Sequence, residues 1–208
     1  IPKKLMVNRH RWPLITESKL QMDVMTRIAG AYMGSGKTKG GTYNWPYKHL
    51  SDAHLEVTPR SFIKLFVEAA KFRQPPENQV ISAEGIRHGL REASKVRVDQ
   101  LGIEYKWIKR ALAPLAGLNI PCTKEALYER WKETNTIKLI LEASSDLDTG
   151  FLPPFPPNTR KNKMELLATA MAQIGLFSER PDGRIDIPDL FRVAAQMLKK
   201  GGTPPVQR

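Results

Sequence analysis

The sequence predicts a mainly α-helical fold with one short β-ribbon near its carboxyl end. Apolar residues recur at three- and four-residue steps through most of the chain between Ser18 and Leu198, the period of a helix with one buried face. Several of these stretches follow a residue able to cap a helix, namely Ser18, Thr58, Ser82, Thr123 and Asn162. The only strong strand signal is Asp182-Gly183 between Leu176-Phe177 and Ile185-Asp186-Ile187, which reads as a hairpin turn flanked by short strands.

In chain order, residues 1–18 carry Trp12-Pro13 and little periodicity and are expected to be irregular. Residues 19–31 place Leu20, Val24, Met25 and Ile28 at helical spacing and stop near Gly30. Residues 34–57 are rich in Gly, Lys, His and aromatics around Pro46, so a long loop with at most short elements is expected. Thr58-Pro59 opens a helix whose expected apolar face is Phe62, Ile63, Leu65, Phe66, Ala69 and Ala70. A second helix starts at Ser82 with Ile86, Leu90, Ala93 and Val96 inward, and pairs antiparallel with the first. Residues 107–115 form a third, followed by a short extended stretch over 118–122 and a fourth helix capped by Thr123.

Residues 137–143 fit one more helix. Gly150 and the Pro153-Pro154-Phe155-Pro156-Pro157 run then forbid regular structure up to Asn162. Asn162 opens a helix over Leu166, Leu167, Ala170 and Met171, the hairpin follows, and Pro188 opens a last helix with Leu190, Phe191, Ala194 and Leu198 inward. Helix, short strand, helix, interruption, helix, ribbon is the order of a winged-helix domain. The expected units are a basic opening segment (1–57), a helical pair (58–106), a winged helix (107–199) with an insertion at 134–162, and a tail (200–208).

Composition narrows the partners. Lys and Arg number 33 against 21 Asp and Glu, a net charge of +12. The excess sits at the ends: residues 1–50 hold nine basic and two acidic residues, residues 51–150 fifteen and fourteen, residues 151–208 nine and five. A basic balance favours anionic partners such as nucleic acid, acidic protein or nucleotide phosphate. No apolar run approaches the roughly 20 residues that span a bilayer, and no basic-then-apolar leader opens the sequence, so no membrane partner and a cytoplasmic location are expected. The single Cys122 excludes an internal disulfide framework and a thiolate zinc cluster. A chain opening on Ile1 rather than Met is expected to be a piece of something longer.

Ala31-Tyr32-Met33-Gly34-Ser35-Gly36-Lys37-Thr38 matches a relaxed phosphate-loop pattern, with Gly36 for close backbone approach, Lys37 for phosphate charge and Thr38 for a Mg²⁺-binding hydroxyl. A working loop follows a buried strand and opens a helix. Here a helical stripe precedes and Lys39-Gly40-Gly41-Thr42 follows, so the match reads as a basic loop arising by chance. His49-Leu50-Ser51-Asp52-Ala53-His54 offers metal-ligand chemistry, but no fourth ligand is evident, and local hydrogen bonding explains it more simply. No catalytic constellation and no metal site are recognised.

Ala29 to Gly34, Lys39-Gly40-Gly41-Thr42-Tyr43-Asn44-Trp45-Pro46, His49 to His54, Val57-Thr58-Pro59-Arg60-Ser61-Phe62 and Asp182-Gly183-Arg184-Ile185-Asp186-Ile187-Pro188-Asp189-Leu190 together resemble the carboxyl-terminal region of large bacterial P-loop NTPases, of the ParA/MinD-like or STAND and AAA+ types. The resemblance covers most of residues 20–202. It implies that the helices 58–72 and 82–101 are a lid-like bundle, that Arg60 in the Pro59-Arg60 pair is a nucleotide sensor, and that a winged helix follows. It also implies ATP and Mg bound by the parent protein rather than by this chain alone, with the NTPase core or another protein domain as partner. In such relatives the stretch corresponding to Gly34–Lys39 keeps no phosphate-loop pattern.

Two readings compete with this regulatory module. One is a stand-alone winged-helix DNA-binding protein using Lys161, Lys163, Arg180 and Arg184 on phosphates. The other is an enzyme in its own right, with only the loop and His signals behind it. Wing charge separates the regulatory module from the DNA-binding protein, because Glu179, Asp182 and Asp186 offset Arg180 and Arg184.

Overall fold

The computed structural model describes residues 17–145 and 150–205; the irregular segment expected before Ser18 lies almost wholly outside them. Among the described residues the fold is mainly helical with a small two-stranded antiparallel sheet. The order is α1 (Ser18–Ala29), α2 (Trp45–Leu50), α3 (Pro59–Phe72), α4 (Ala83–Glu104), α5 (Ile108–Leu112), α6 (Lys124–Glu133), α7 (Thr136–Ser144), α8 (Lys163–Gln173), β1 (Ser178–Glu179), β2 (Ile185–Asp186) and α9 (Asp189–Arg192). No helix among these residues is long and apolar enough to cross a membrane.

Four of the five expected caps work as the sequence suggests; Ser18 instead lies inside α1, whose N-cap is Glu17 with no side-chain cap bond. Thr58, Ser82 and Thr123 accept hydrogen bonds from the N–H groups of Ser61, Gly85 and Ala126, and Asn162 from Met164, which satisfies one otherwise unpaired donor at each helix start. Helices α3 and α4 cross at glycines. A Cβ on Gly85 would lie 2.7 Å from the Ala69 carbonyl oxygen and one on Gly89 2.1 Å from that of Leu65. The pairing of 85 with 69 and 89 with 65 makes the two helices antiparallel and brings their backbones together.

The core is continuous from this pair into the rest of the chain. Leu65, Ile86 and Leu90 join Ile108, Leu115, Leu127, Trp131, Leu167, Met171 and Phe191 in one buried cluster. Trp131 lies near-parallel to Phe177 at 6.3 Å and donates Nε1–H to the Ala111 carbonyl at 2.8 Å, so its one polar atom is satisfied. β1 pairs with β2 in the register Ser178 to Asp186 and Glu179 to Ile185, across the expected turn at Gly183 (φ 78°). The stretch 118–122 is extended: Cys122 exchanges both backbone hydrogen bonds with Ile185, while Ile120 donates to Leu198 and Leu198 to Leu118. Ribbon and carboxyl-terminal stretch are thereby stitched to opposite ends of one segment.

Two expectations are corrected. Of the apolar face expected for α3, Leu65 and Ala69 are buried together with Ser61 and Phe66 is half-buried, but Phe62, Ile63 and Ala70 are exposed, as is Val67. The reason is the glycine crossing, which sets Leu65 and Ala69 between the two backbones and turns Phe62 and Ile63 outward. The last helix ends at Arg192 rather than continuing to Leu198. Gln196 takes a left-handed conformation (φ 60°), and the chain folds around the Arg192 side chain instead of extending the apolar stripe.

Candidate functional site

The segment between α1 and α3 holds the carboxyl-terminal half by polar contacts, and each residue of the His49–His54 stretch has a structural partner there or locally. His49, in the last turn of α2, stacks on Trp45 with ring centroids 4.0 Å apart. Its Nδ1 is hydrogen-bonded to Asp189 Oδ2 at 2.5 Å. The other Asp189 oxygen accepts from Arg192 Nε at 2.6 Å. The Arg192 side chain is fully buried, and its two terminal nitrogens donate to the carbonyls of Met197 at 2.9 Å and Thr203 at 2.8 Å. Burial pushes the Asp189 carboxyl up, but the hydrogen bond from His49 and the charge of Arg192 outweigh it and hold the group below its ordinary range. A buried cation so fully bonded fixes the path of the chain around it.

Asp52 accepts hydrogen bonds from the backbone N–H groups of His54 and Glu56. Ala53 N–H donates to the Gly175 carbonyl at 2.8 Å, and His54 Nε2 lies 3.2 Å from the Gln173 carbonyl oxygen. Among the described residues no group of three His, Cys, Asp or Glu side chains is placed to hold a metal ion. A second tie comes from α4, where Ser94 Oγ donates to the Leu190 carbonyl at 2.6 Å and accepts from Ala194 N–H at 3.0 Å. Helix α9 is thus held from α2 and from α4.

The Gly36-Lys37-Thr38 stretch takes a different local form from the strand–loop–helix of a phosphate loop. It forms a single 3₁₀ turn, Lys37–Lys39, preceded among the described residues by helix α1 and no strand. Its neighbouring N–H groups are spent internally: Met33 donates to Gly40, Lys39 to Gly36, Gly40 to Lys37 and Thr42 to Ala31. Lys37 and Thr38 are exposed. These bonds close the loop on itself, and the stretch lacks the strand-to-helix frame in which a phosphate loop is set.

Arg60 lies exposed in the first turn of α3, just after the Thr58 cap, and forms no hydrogen bond or ion pair with any described residue. The β1–β2 ribbon behaves differently. Arg184 grips Asp182 through Nε at 2.8 Å and Nη2 at 2.7 Å, and Arg180 grips Asp186 at 3.0 and 2.6 Å. Lys199 also reaches Asp186, and Lys124 reaches Glu179. Hydrogen bonds from Arg184 hold Asp182 below the ordinary carboxylate range. Lys163 Nζ donates to the Thr159 carbonyl, Lys161 is exposed, and α8 turns Glu165, Thr169 and Gln173 to solvent. Of the four candidate nucleic-acid residues, Arg180 and Arg184 are thus engaged by carboxylates and Lys163 by a local carbonyl.

Arg192 escaped sequence reasoning. The signal for it was a cation inside the apolar run Ile187 to Leu198, three residues after Asp189, the spacing of an intrahelical ion pair. Comparison with protein-family models, with curated proteins and with solved structures yields no match to this chain.

Proposed function

We propose that the chain is the regulatory module of a bacterial, cytoplasmic P-loop NTPase. In this reading α3 and α4 are the lid, residues 107–199 are a winged helix with an insertion at 134–162, and Arg60 senses nucleotide held by the NTPase core. The observation that carries the reading is Arg60: a guanidinium in the first turn of a capped helix, exposed and engaged with no described residue. The helix that bears it packs backbone to backbone on α4, and α4 in turn holds α9 through Ser94. A displacement of α3 would therefore move α4 and the seat of α9 together, because close-packed backbones transmit rather than absorb small shifts. ATP with Mg, bound in the core, would supply the phosphate charge that Arg60 meets; this chain supplies the sensor and the relay.

The wing favours a protein partner over DNA in this reading. Its arginines are already paired with carboxylates, and stripping those pairs to reach phosphates would cost the bonds they make now.

Arg60→Ala in the full-length protein tests the reading. Melting temperature should be unchanged, since an exposed Arg contributes little to stability. ATP turnover should fall by about one to three orders of magnitude, the range for loss of a positioned charge at a phosphoryl group. An unchanged rate rejects the sensor role.

A further inference from the structure

Helix α3 is amphipathic twice over. One side packs on α4 through Ser61, Leu65 and Ala69. The other carries Phe62, Ile63, Val67 and Ala70, with Ile63 62% exposed and Phe62 and Val67 both 42% exposed. Phe62 packs on half-buried Phe66, centroids 4.9 Å apart, so the stripe is continuous along the helix. Ile63, Val67 and Ala70 follow at helical steps, and no other helix bears such a run of exposed large apolar residues among those described.

The border of this stripe is basic. Arg60, Lys64 and Lys71 fall along its outer edge at helical spacing, and the one carboxylate of the helix, Glu68, is shared by Lys64 at 3.0 Å and Lys71 at 3.4 Å. Arg60 has no described partner, so the edge keeps a net positive charge. That pattern selects among occupants. A second copy seated by a two-fold axis either runs its α3 antiparallel, which sets basic edge beside basic edge, or parallel, which sets each basic edge beside the other copy's apolar Phe62 border; neither brings carboxylates to the basic edge. An apolar surface bordered by carboxylates satisfies both the stripe and the edge.

We infer that the outer face of α3 is a docking surface for a protein segment that is an amphipathic helix with an acidic edge. The apolar stripe would supply affinity and the Arg60, Lys64 and Lys71 edge would set orientation and partner choice. The inference rests on the geometry of α3 alone and stands or falls apart from the lid reading.

Two labelled synthetic helices of ~20 residues test it, sharing a Leu and Phe stripe but bordered by Glu in one and Lys in the other. Fluorescence anisotropy with the wild-type chain should show micromolar binding of the Glu-bordered peptide, about tenfold tighter than of its twin, and weaker as salt rises. Ile63→Asp and Val67→Asp should abolish it without lowering the melting temperature, since neither side chain is core. NMR shift mapping on the wild-type protein guards against a misfolded variant and should confine the perturbation to α3 and its cap. Equal affinity for both peptides, binding that survives both substitutions, or perturbations elsewhere overturn the inference. So would an α3-dependent dimer in sedimentation, or stripe-dependent binding to phosphatidylcholine and phosphatidylserine vesicles in preference to the peptide.

Discussion

Gly89 sits so tightly against Leu65 that a Cβ on the glycine would lie 2.1 Å from the Leu65 carbonyl oxygen. In an open helix, Gly→Ala stabilises by about 1 kcal/mol. Here the obstacle is backbone, which no side-chain rotation relieves, so Gly89→Ala is expected to destabilise by about 3 kcal/mol. Gly85→Ala, 2.7 Å from the Ala69 carbonyl, should cost less. Gly36→Ala, with nothing within 4 Å of its Cβ position, should stay within roughly 0.5 kcal/mol. Urea unfolding of the three variants measures the order, and a stabilised Gly89→Ala would remove the crossing from the account of the fold.

Asp189 gives the fold an acid limit. Its carboxyl is held below the ordinary value of 3.8 in the folded chain, burial being outweighed by His49 and Arg192. A depressed folded value means that the stabilisation is fully present above the unfolded value and is lost as pH falls through the folded one. Asp186 shares the direction, its burial being outweighed by the hydrogen bonds from Arg180 and Lys199. Stability should therefore fall below about pH 4, and Asp189→Asn should lower the neutral plateau and flatten the acid limb. Arg192→Met leaves the carboxylate without its buried cation and should cost about 3–5 kcal/mol at neutral pH. Thermal melts across a pH series would read both.

The β1–β2 ribbon predicts weak and non-specific nucleic-acid binding. Arg180 and Arg184 are engaged by Asp186 and Asp182, so Arg184→Ala should leave affinity for a DNA duplex within about twofold. Asp182→Asn releases a cation and should steepen the salt dependence by up to about one unit of log–log slope. Anisotropy over a salt series is the measurement. Tight, sequence-selective binding at physiological salt that Arg184→Ala abolishes would instead favour a DNA-binding role.

Much of the secondary structure was legible because its determinants are local. Thr58, Ser82, Thr123 and Asn162 cap where their side chains bond the next turn, and Asp182-Gly183 turns because Gly183 accepts a positive φ. The burial of α3 was not legible, because hydrophobicity alone cannot tell that Gly85 and Gly89 admit Leu65 and Ala69 and exclude the Phe62 side. The end of α9 was missed for a related reason: the periodicity continues to Leu198, but Arg192 recruits the carbonyls of Met197 and Thr203 across a turn. His49, Asp52 and His54 were visible as a cluster, yet His49's partner Asp189 is remote in sequence and only the fold brings the pair together.

The remaining prediction concerns Ser94, the tie between α4 and α9. Its hydroxyl is fully buried, donates to the Leu190 carbonyl at 2.6 Å and accepts from Ala194 N–H at 3.0 Å. Ser94→Ala removes few atoms, so the cavity is small, but it leaves the Ala194 N–H without the acceptor it has now. The expected loss is about 1–3 kcal/mol, the range for stranding a buried donor. His49→Ala breaks the other hold on α9, its hydrogen bond to Asp189. If α9 is one element clamped from both sides, losing either contact loosens the seat of the other. The double variant should then lose less than the sum of the singles by at least about 0.5 kcal/mol, the coupling seen when two sites share an element. Strict additivity would mean that the two contacts act independently, and α9 would then be no route by which α4 informs the carboxyl-terminal half. Equilibrium unfolding of the four species, followed by Trp fluorescence at neutral pH, gives the coupling directly.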